Sequence, residues 1–361
     1  MRSFYEKIKP AVYTVFFLLL TFLILSHSQK SLYYTLNGLN LWFSKMIPSL
    51  LPFMILSGIM VRLHLTEGFA SLLHPVIAPL FRVRKNVTYA MIMGFLCGFP
   101  MGARVTSDLL ERNMITKREA EYLLAFCNNI GPVYFMSFVI PILQRRLLGP
   151  YLFGMYGLPL LYGLLLRYTA YRDLAENTCL CAGKPAYPAV GRSKSSGAFG
   201  AAGNGRSKLS KIRQSELSAC EESRPLMLLE QIDDSIHSGI QSILMLGGYM
   251  ILFNLLNLVP DVFCEALAAR SGNVFWKKLP LLVAPVLEIT GGIGMLKDSM
   301  PLFVLVLLPF GGLSCIAQTY SIIRYNDLSI QDYIKHKLAL TGMTLAYYML
   351  WKVLFPGTFL V

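Results

Sequence analysis

Met93–Asn113 reads MGFLCGFPMGARVTSDLLERN. It starts as the middle of a membrane helix. Gly94, Gly98, Pro100 and Gly102 then interrupt it, and Arg104 follows at once. Pro100 has no N–H to give to the carbonyl of Leu96. The glycines let the chain leave helical geometry at little steric cost. Backbone groups released in this way at bilayer depth must be buried in protein or face a water-filled cavity. The stretch therefore predicts a helix broken on purpose, with a cation beside the break.

The surrounding chain fits that setting. It has 361 residues, 55% hydrophobic and 15% charged, with mean hydropathy +0.52; soluble domains carry about 25% charged residues. Apolar segments fall near 11–27, 38–61, 69–81, 87–110, 122–143 and 147–170, then near 238–260, 279–296, 301–324 and 338–358. They are continuous rather than alternating, which excludes a β-barrel and predicts an all-α, polytopic, multi-pass membrane protein. The run after the basic N-terminus is read as an uncleaved first span, because no small-x-small cleavage signal follows it. The net charge of +13 follows from Lys and Arg in the loops, as the positive-inside bias expects. No nucleic-acid motif accompanies it, so no nucleic-acid partner is expected.

Residues 1–170 and 231–361 are read as two membrane halves, joined by a cytoplasmic flexible linker over 171–230. The linker centre, GRSKSSGAFGAAGNGRSKLSK, is rich in Gly, Ser and Ala and basic, and cannot bury a core. An offset of 213 residues matches Gly98 to Gly311, Thr106 to Thr319, Asn113 to Asn326, Ile115 to Leu328 and Thr116 to Ser329. In both halves a Gly-broken run leads to a polar turn and another span. Two related, inverted repeats are expected, and such repeats with broken helices mark secondary transporters. The short piece at 69–81 carries two prolines and reads as a re-entrant hairpin or an interfacial segment. The run at 279–296 breaks from Glu288 to Gly292.

The candidate site residues each admit two readings. Gly94, Gly98 and Gly102 also form a double GxxxG packing face. Arg104 either faces a cavity and grips a carboxylate through parallel bonds or snorkels at the interface. Glu288 needs a partner, a proton or a cation. It is read as a substrate or coupling-ion contact at a hairpin tip, with Thr290, Gly291 and Gly292 shaping that tip, or as half of a structural ion pair. Asn128 and Asn129 either line the site or cap a helix break. Ser314 and Gln318, four residues apart, share a helical face that would line the cavity. Cys97, Cys127, Cys264 and Cys315 lie in apolar runs and are read as packing residues. The five histidines are isolated. No catalytic triad, metal-ligand spacing or phosphate loop is present, so neither an enzyme nor a resident metal or cofactor is expected.

Five stretches carry a resemblance: GLNLWFSKMIPSLLPFMILSGIM (38–60), LLHPVIAPLFRV (72–83), MGFLCGFPMGARVTSDLL (93–110), ITKREAEYLLAFCNNIGPVYF (115–135) and LEITGGIGML (287–296). They resemble the nucleoside-recognition, or gate-domain, membrane proteins, especially the sporulation stage V integral membrane proteins of spore-forming Firmicutes. The resemblance implies a fold like the core of concentrative nucleoside transporters. It also implies a role in moving dipicolinic acid across the outer forespore membrane. The expected function is thus a permease for a small organic anion in the cell membrane. Arg104 would hold a carboxylate beside Gly98, Pro100 and Gly102, and Glu288 would serve as proton or sodium site or pair with Arg104 when the cavity is empty. The expected partners are that anion, the bilayer and further copies of the same chain. A non-transporting scaffold in spore-envelope assembly and a nucleoside-type transporter are the alternatives. His74 and Pro75 stand where the nucleoside carriers' first hairpin would carry a carboxylate, which counts against the latter.

Overall fold

The computed structural model describes residues 2–143, 148–175, 206–297 and 299–358. Among them the chain is helical, with no strand. The first half runs α1 (Arg2–Ser26), α2 (Ser28–Leu41), a π turn (Trp42–Met46), α3 (Ile47–Arg62), α4 (Thr66–Ala70), α5 (His74–Phe81), α6 (Lys85–Cys97), α7 (Met101–Glu111), α8 (Lys117–Phe126), α9 (Pro132–Tyr134), α10 (Ile140–Leu143), α11 (Leu148–Leu152) and α12 (Leu158–Tyr168). The second runs α13 (Arg206–Leu255), α14 (Leu258–Ser271), α15 (Val274–Leu287), α16 (Ile289–Leu296), α17 (Pro301–Leu307), α18 (Gly312–Ile323) and α19 (Ile330–Leu354).

Four helical stretches are long and apolar enough to cross a membrane: Ser28–Arg62, Leu148–Tyr168, Leu229–Ser271 and Pro301–Ile323. These stretches and their neighbours expose large apolar side chains, among them Phe22, Leu25, Phe43 and Val353. Such a surface suits acyl chains and not water.

Small residues set how closely the long helices pack. The stretch α2–α3 lies antiparallel to α13. Gly38 sits against Ile251, Gly247 under the Trp42 ring and Gly58 on Ser235. Trp42 Nε1 donates to the Ile243 carbonyl at 2.8 Å, which satisfies the indole in an otherwise apolar seam.

The helix expected through 87–110 is broken where the sequence places the break. Gly98 has φ +84° and ψ −162°, a region essentially restricted to glycine. Helix α7 restarts at Met101, whose N–H donates to the Gly98 carbonyl at 2.7 Å. A second break lies at Gly311 and Gly312, with φ +77° and +80°. A third follows α8, where Cys127–Gly131 leaves helical geometry before Pro132 starts α9. The fourth is Glu288 between α15 and α16, extended at φ −140° and ψ 116°; α15 and α16 fold back on each other, with Gly292 against the Pro285 backbone.

These four breaks meet. A Cβ on Gly98 would fall 2.2 Å from the Gly131 nitrogen, one on Gly311 would meet the Phe99 ring, and one on Gly312 would meet the backbone of Leu287 and Ile289. The polar turns at 112–116 and 324–329 lead into α8 and α19, each capped by the last residue of its turn. Thr116 accepts from the Glu119 N–H within a capping box, and Ser329 accepts from the Asp332 N–H.

One expectation changes. Helix α13 begins at Arg206, inside the stretch read as linker. Its sequence from Lys208 onward has good helix formers and few glycines, so propensity sustains a helix where composition suggested coil. Residues 176–205, with most of the Gly/Ser-rich centre and with Cys179 and Cys181, lie outside the described residues. The piece at 69–81 falls partly in α4 and partly in α5, with α4 packed on α6 and Leu72 and Val76 at the surface.

Candidate functional site

Two cavities open on the converging breaks. The larger, about 950 Å³, lies between α3, α7, α13 and α18. Four guanidiniums line it, from Arg62, Arg104, Arg112 and Arg324, against the carboxylates of Asp108 and Glu111. Pro100 and Gln318 also line it. The smaller, about 50 Å³, is lined by Phe99, Gly131, Glu288, Thr290, Cys315 and Gln318 among others. That space admits a few waters and no organic anion. Gln318 lines both and so stands between them.

Arg104 projects from the first turns of α7, beyond the break that sequence reasoning singled out. Its guanidinium donates to Ser238 Oγ on α13 and lies 3.6 Å from Asp108 one turn later. It is part-buried at the cavity wall, and both of these partners are on or near the same wall. Arg62, at the end of α3, pairs with Asp234 at 2.8 Å. Glu111 accepts from Ser107 Oγ at 3.2 Å and from Asn326 Nδ2 at 3.3 Å. Asp108 and Glu111 are thus engaged, as are Arg62 and Arg104, and the four guanidiniums of the lining outnumber its two carboxylates. Such a lining favours an anion, which can take bidentate bonds from planar donors.

Glu288 is buried at the hairpin tip, 2% exposed. Its carboxylate caps α16: Thr290 and Gly291 donate backbone N–H groups at 3.1 and 2.6 Å, and Asn254 Nδ2 donates at 3.0 Å. Arg104 and Glu288 therefore do not pair in this structure; each is held by other partners. Two N–H groups at the start of a helix and one amide satisfy the carboxylate without a cation. No lysine or arginine completes an ion pair with Glu288 among the described residues. Gly291 is needed here because a Cβ would meet Asn254 Oδ1 at 2.1 Å.

Asn128 and Asn129 belong to the helix break rather than to either cavity. Both are fully buried. Asn128 Oδ1 accepts the Ala103 N–H at 3.3 Å in the first turn of α7, and its Nδ2 donates to Thr319 Oγ1 and to the Tyr333 hydroxyl, each at 3.0 Å. Asn129 Nδ2 donates to the Phe126 carbonyl at 2.5 Å. Gly98 and Gly102 make room for this: Gly98 lies on Gly131, and a Cβ on Gly102 would meet the Asn128 Cα at 2.9 Å. Ser314 accepts from Gln318 Nε2 at 2.9 Å, so the two share a face as the spacing predicts, with Gln318 alone reaching the cavities.

The sequence reading also missed a buried lysine. Lys337 on α19 is 0% exposed. Its Nζ donates to the Asn128 carbonyl and, at 2.9 Å, to Asn129 Oδ1, and it lies 4.5 Å from the centroid of the Phe99 ring. The signal was available: Tyr333, Lys337, Leu340 and Thr344 form the buried stripe of α19, spaced as one helical face. Among the described residues no cluster of His, Cys, Asp and Glu is arranged to hold a metal ion. Cys97, Cys127, Cys264 and Cys315 are buried free thiols.

No family model matches the chain, and no solved structure matches it significantly. A curated relative does match. Along nearly its whole length the chain is similar to the sporulation integral membrane protein YlbJ of Bacillus subtilis, 29% identical over 370 residues that cover 98% of this chain and 85% of the relative.

Proposed function

We propose that the chain is a multi-pass membrane carrier for a small organic anion, with dipicolinate as its substrate during sporulation and the outer forespore membrane as its location. The single observation that carries the reading is the vestibule: four guanidiniums line a cavity of about 950 Å³ that ends at broken helices. A flat pyridine dicarboxylate presents two planar acceptors, each suited to a guanidinium fork. The likeness to a protein named for sporulation supports the cellular setting.

In this reading the two halves are inverted repeats of a concentrative-nucleoside-transporter-like fold. Matched positions lie on like elements: the break at Gly98 corresponds to that at Gly311, and the cap at Thr116 to that at Ser329. Arg104 takes one carboxylate of the substrate, and Arg324, which lines the same cavity, takes the other. Gln318 then stands at the passage to the inner chamber, which is too small for the anion in this state. Passage requires the four touching breaks to part, as alternating access at repeat interfaces demands. Glu288 holds the tip of the α15–α16 hairpin rigid through its cap.

The test is equilibrium binding of labelled dipicolinate to the purified protein in detergent. Wild type is expected to bind saturably, with other dicarboxylates competing and uncharged nucleosides not. Arg104→Ala with Arg324→Ala is expected to lose binding while melting like wild type. Absence of binding to folded wild type, or equal binding by the double variant, contradicts the reading.

A further inference from the structure

The unwound segment after α8 holds a lysine where broken membrane helices bind cations. Helix α8 ends at Phe126, and the carbonyls beyond it have no helical partners. Half-helix C-terminal ends and unwound carbonyls in membrane proteins coordinate small cations, helped by the negative end of the helix dipole. Here the oxygens are the Asn128 carbonyl and Asn129 Oδ1, and both accept from Lys337 Nζ. The Phe99 face, 4.5 Å from the ammonium, forms a third wall, as a cation–π contact. The Tyr333 ring lies at 5.5 Å.

Lys337 Nζ has no anionic partner among the described residues. The titratable groups around it are Tyr333 on α19, Cys127 at the end of α8 and Cys315 on α18, all neutral as ordinary phenol and thiols. Two residues earlier, Lys335 pairs with Asp332 at 2.8 Å on the exposed start of α19; Lys337 makes no such pair among the described residues. A carboxylate partner is the usual way to hold a buried ammonium. Oxygen dipoles and an aromatic face are instead the way a protein holds a small free cation.

We infer that the segment Cys127–Gly131 is a monovalent-cation site whose permanent occupant is the ammonium of Lys337. The tethered group ties the break at 127–131 to the break at 98–100, because the Asn128 carbonyl and the Phe99 ring both contact it. It follows that no free alkali cation is needed at this position. Removing the side chain should empty a site that a small free ammonium can refill. The inference stands on this geometry and does not depend on what the vestibule binds.

Thermal unfolding of the purified protein tests it, with wild type, Lys337→Ala and Lys337→Met compared in methylammonium chloride and in choline chloride. Choline is too large for the space left by one side chain. The alanine variant is expected to melt below wild type in choline and to gain about 3 °C or more in methylammonium, as a ligand binding only the folded state must produce. Wild type and Lys337→Met, in which the space is filled, should not respond. An alanine variant indifferent to methylammonium, or all three proteins shifting together, overturns the inference. If Lys337→Ala is not recovered folded, recovery itself is the readout. Monodisperse protein extracted with methylammonium and none with choline supports the site, and none with either overturns it.

Discussion

Gly98→Ala probes the contact on which the central architecture depends. At φ +84° and ψ −162° an alanine occupies backbone space essentially reserved for glycine, at a cost on the order of 1–3 kcal/mol. Its Cβ would also fall 2.2 Å from the Gly131 nitrogen and 2.7 Å from its Cα. Both are backbone atoms and cannot rotate aside, so the two breaks must separate, which adds roughly 1–3 kcal/mol of overpacking. The expected loss is therefore about 2–6 kcal/mol. Thermal and denaturant unfolding in the same detergent measure it. Gly68→Ala in α4 is the control: nothing lies within 4 Å of its added Cβ, so that variant should be neutral or slightly stabilised. If Gly98→Ala unfolds together with wild type, the breaks at 98–100 and 127–131 do not touch and the convergence described above is wrong.

The remaining predictions concern caps and charge. Glu288→Gln keeps one acceptor oxygen but turns an amide N–H₂ toward groups that are themselves donors, so it should cost about 1–3 kcal/mol; an unchanged melting temperature would show that Glu288 does not cap α16. Thr116→Ala and Ser329→Ala each remove a helix cap and should each cost about 0.5–2 kcal/mol, read by the same unfolding assay, and additively because they cap different helices. Arg104→Ala alone should weaken dipicolinate binding by about tenfold or more, the worth of one charge-assisted contact. Binding to wild type should also weaken as salt is raised, since the vestibule is open to solvent; salt-independent affinity would move the anion away from the arginines.

The breaks were the most legible part of the molecule in its sequence. Gly98 with Pro100, and Gly311 with Gly312, announce themselves because glycine and proline act on the backbone locally. Glu288 was legible as a break for the same reason, a carboxylate and two glycines inside an apolar run. Its role was less legible. A buried carboxylate suggests a cation, and only the fold shows that two N–H groups of α16 and Asn254 satisfy it. Asn254, 34 residues away, has no sequence signal that links it to Glu288. Asn128 and Asn129 were open between lining and capping, and long-range contacts to Thr319, Tyr333 and Lys337 decided for the break. Lys337 was hidden among the polar residues of IQDYIKHKL. Its helical register with Leu340 and Thr344 was the clue, and a local reading of charge overlooked it. The arginines of the vestibule come from α3, α7 and α18 or the residue just past their ends, so their gathering is a property of packing and not of any one segment.

Uptake of labelled dipicolinate into liposomes bearing the purified protein tests the proposed carrier most directly. Saturable uptake into wild-type vesicles, absent from protein-free vesicles and lost in folded Arg104→Ala with Arg324→Ala, is the predicted result. No uptake by folded wild type under either an imposed proton or an imposed sodium gradient would contradict it.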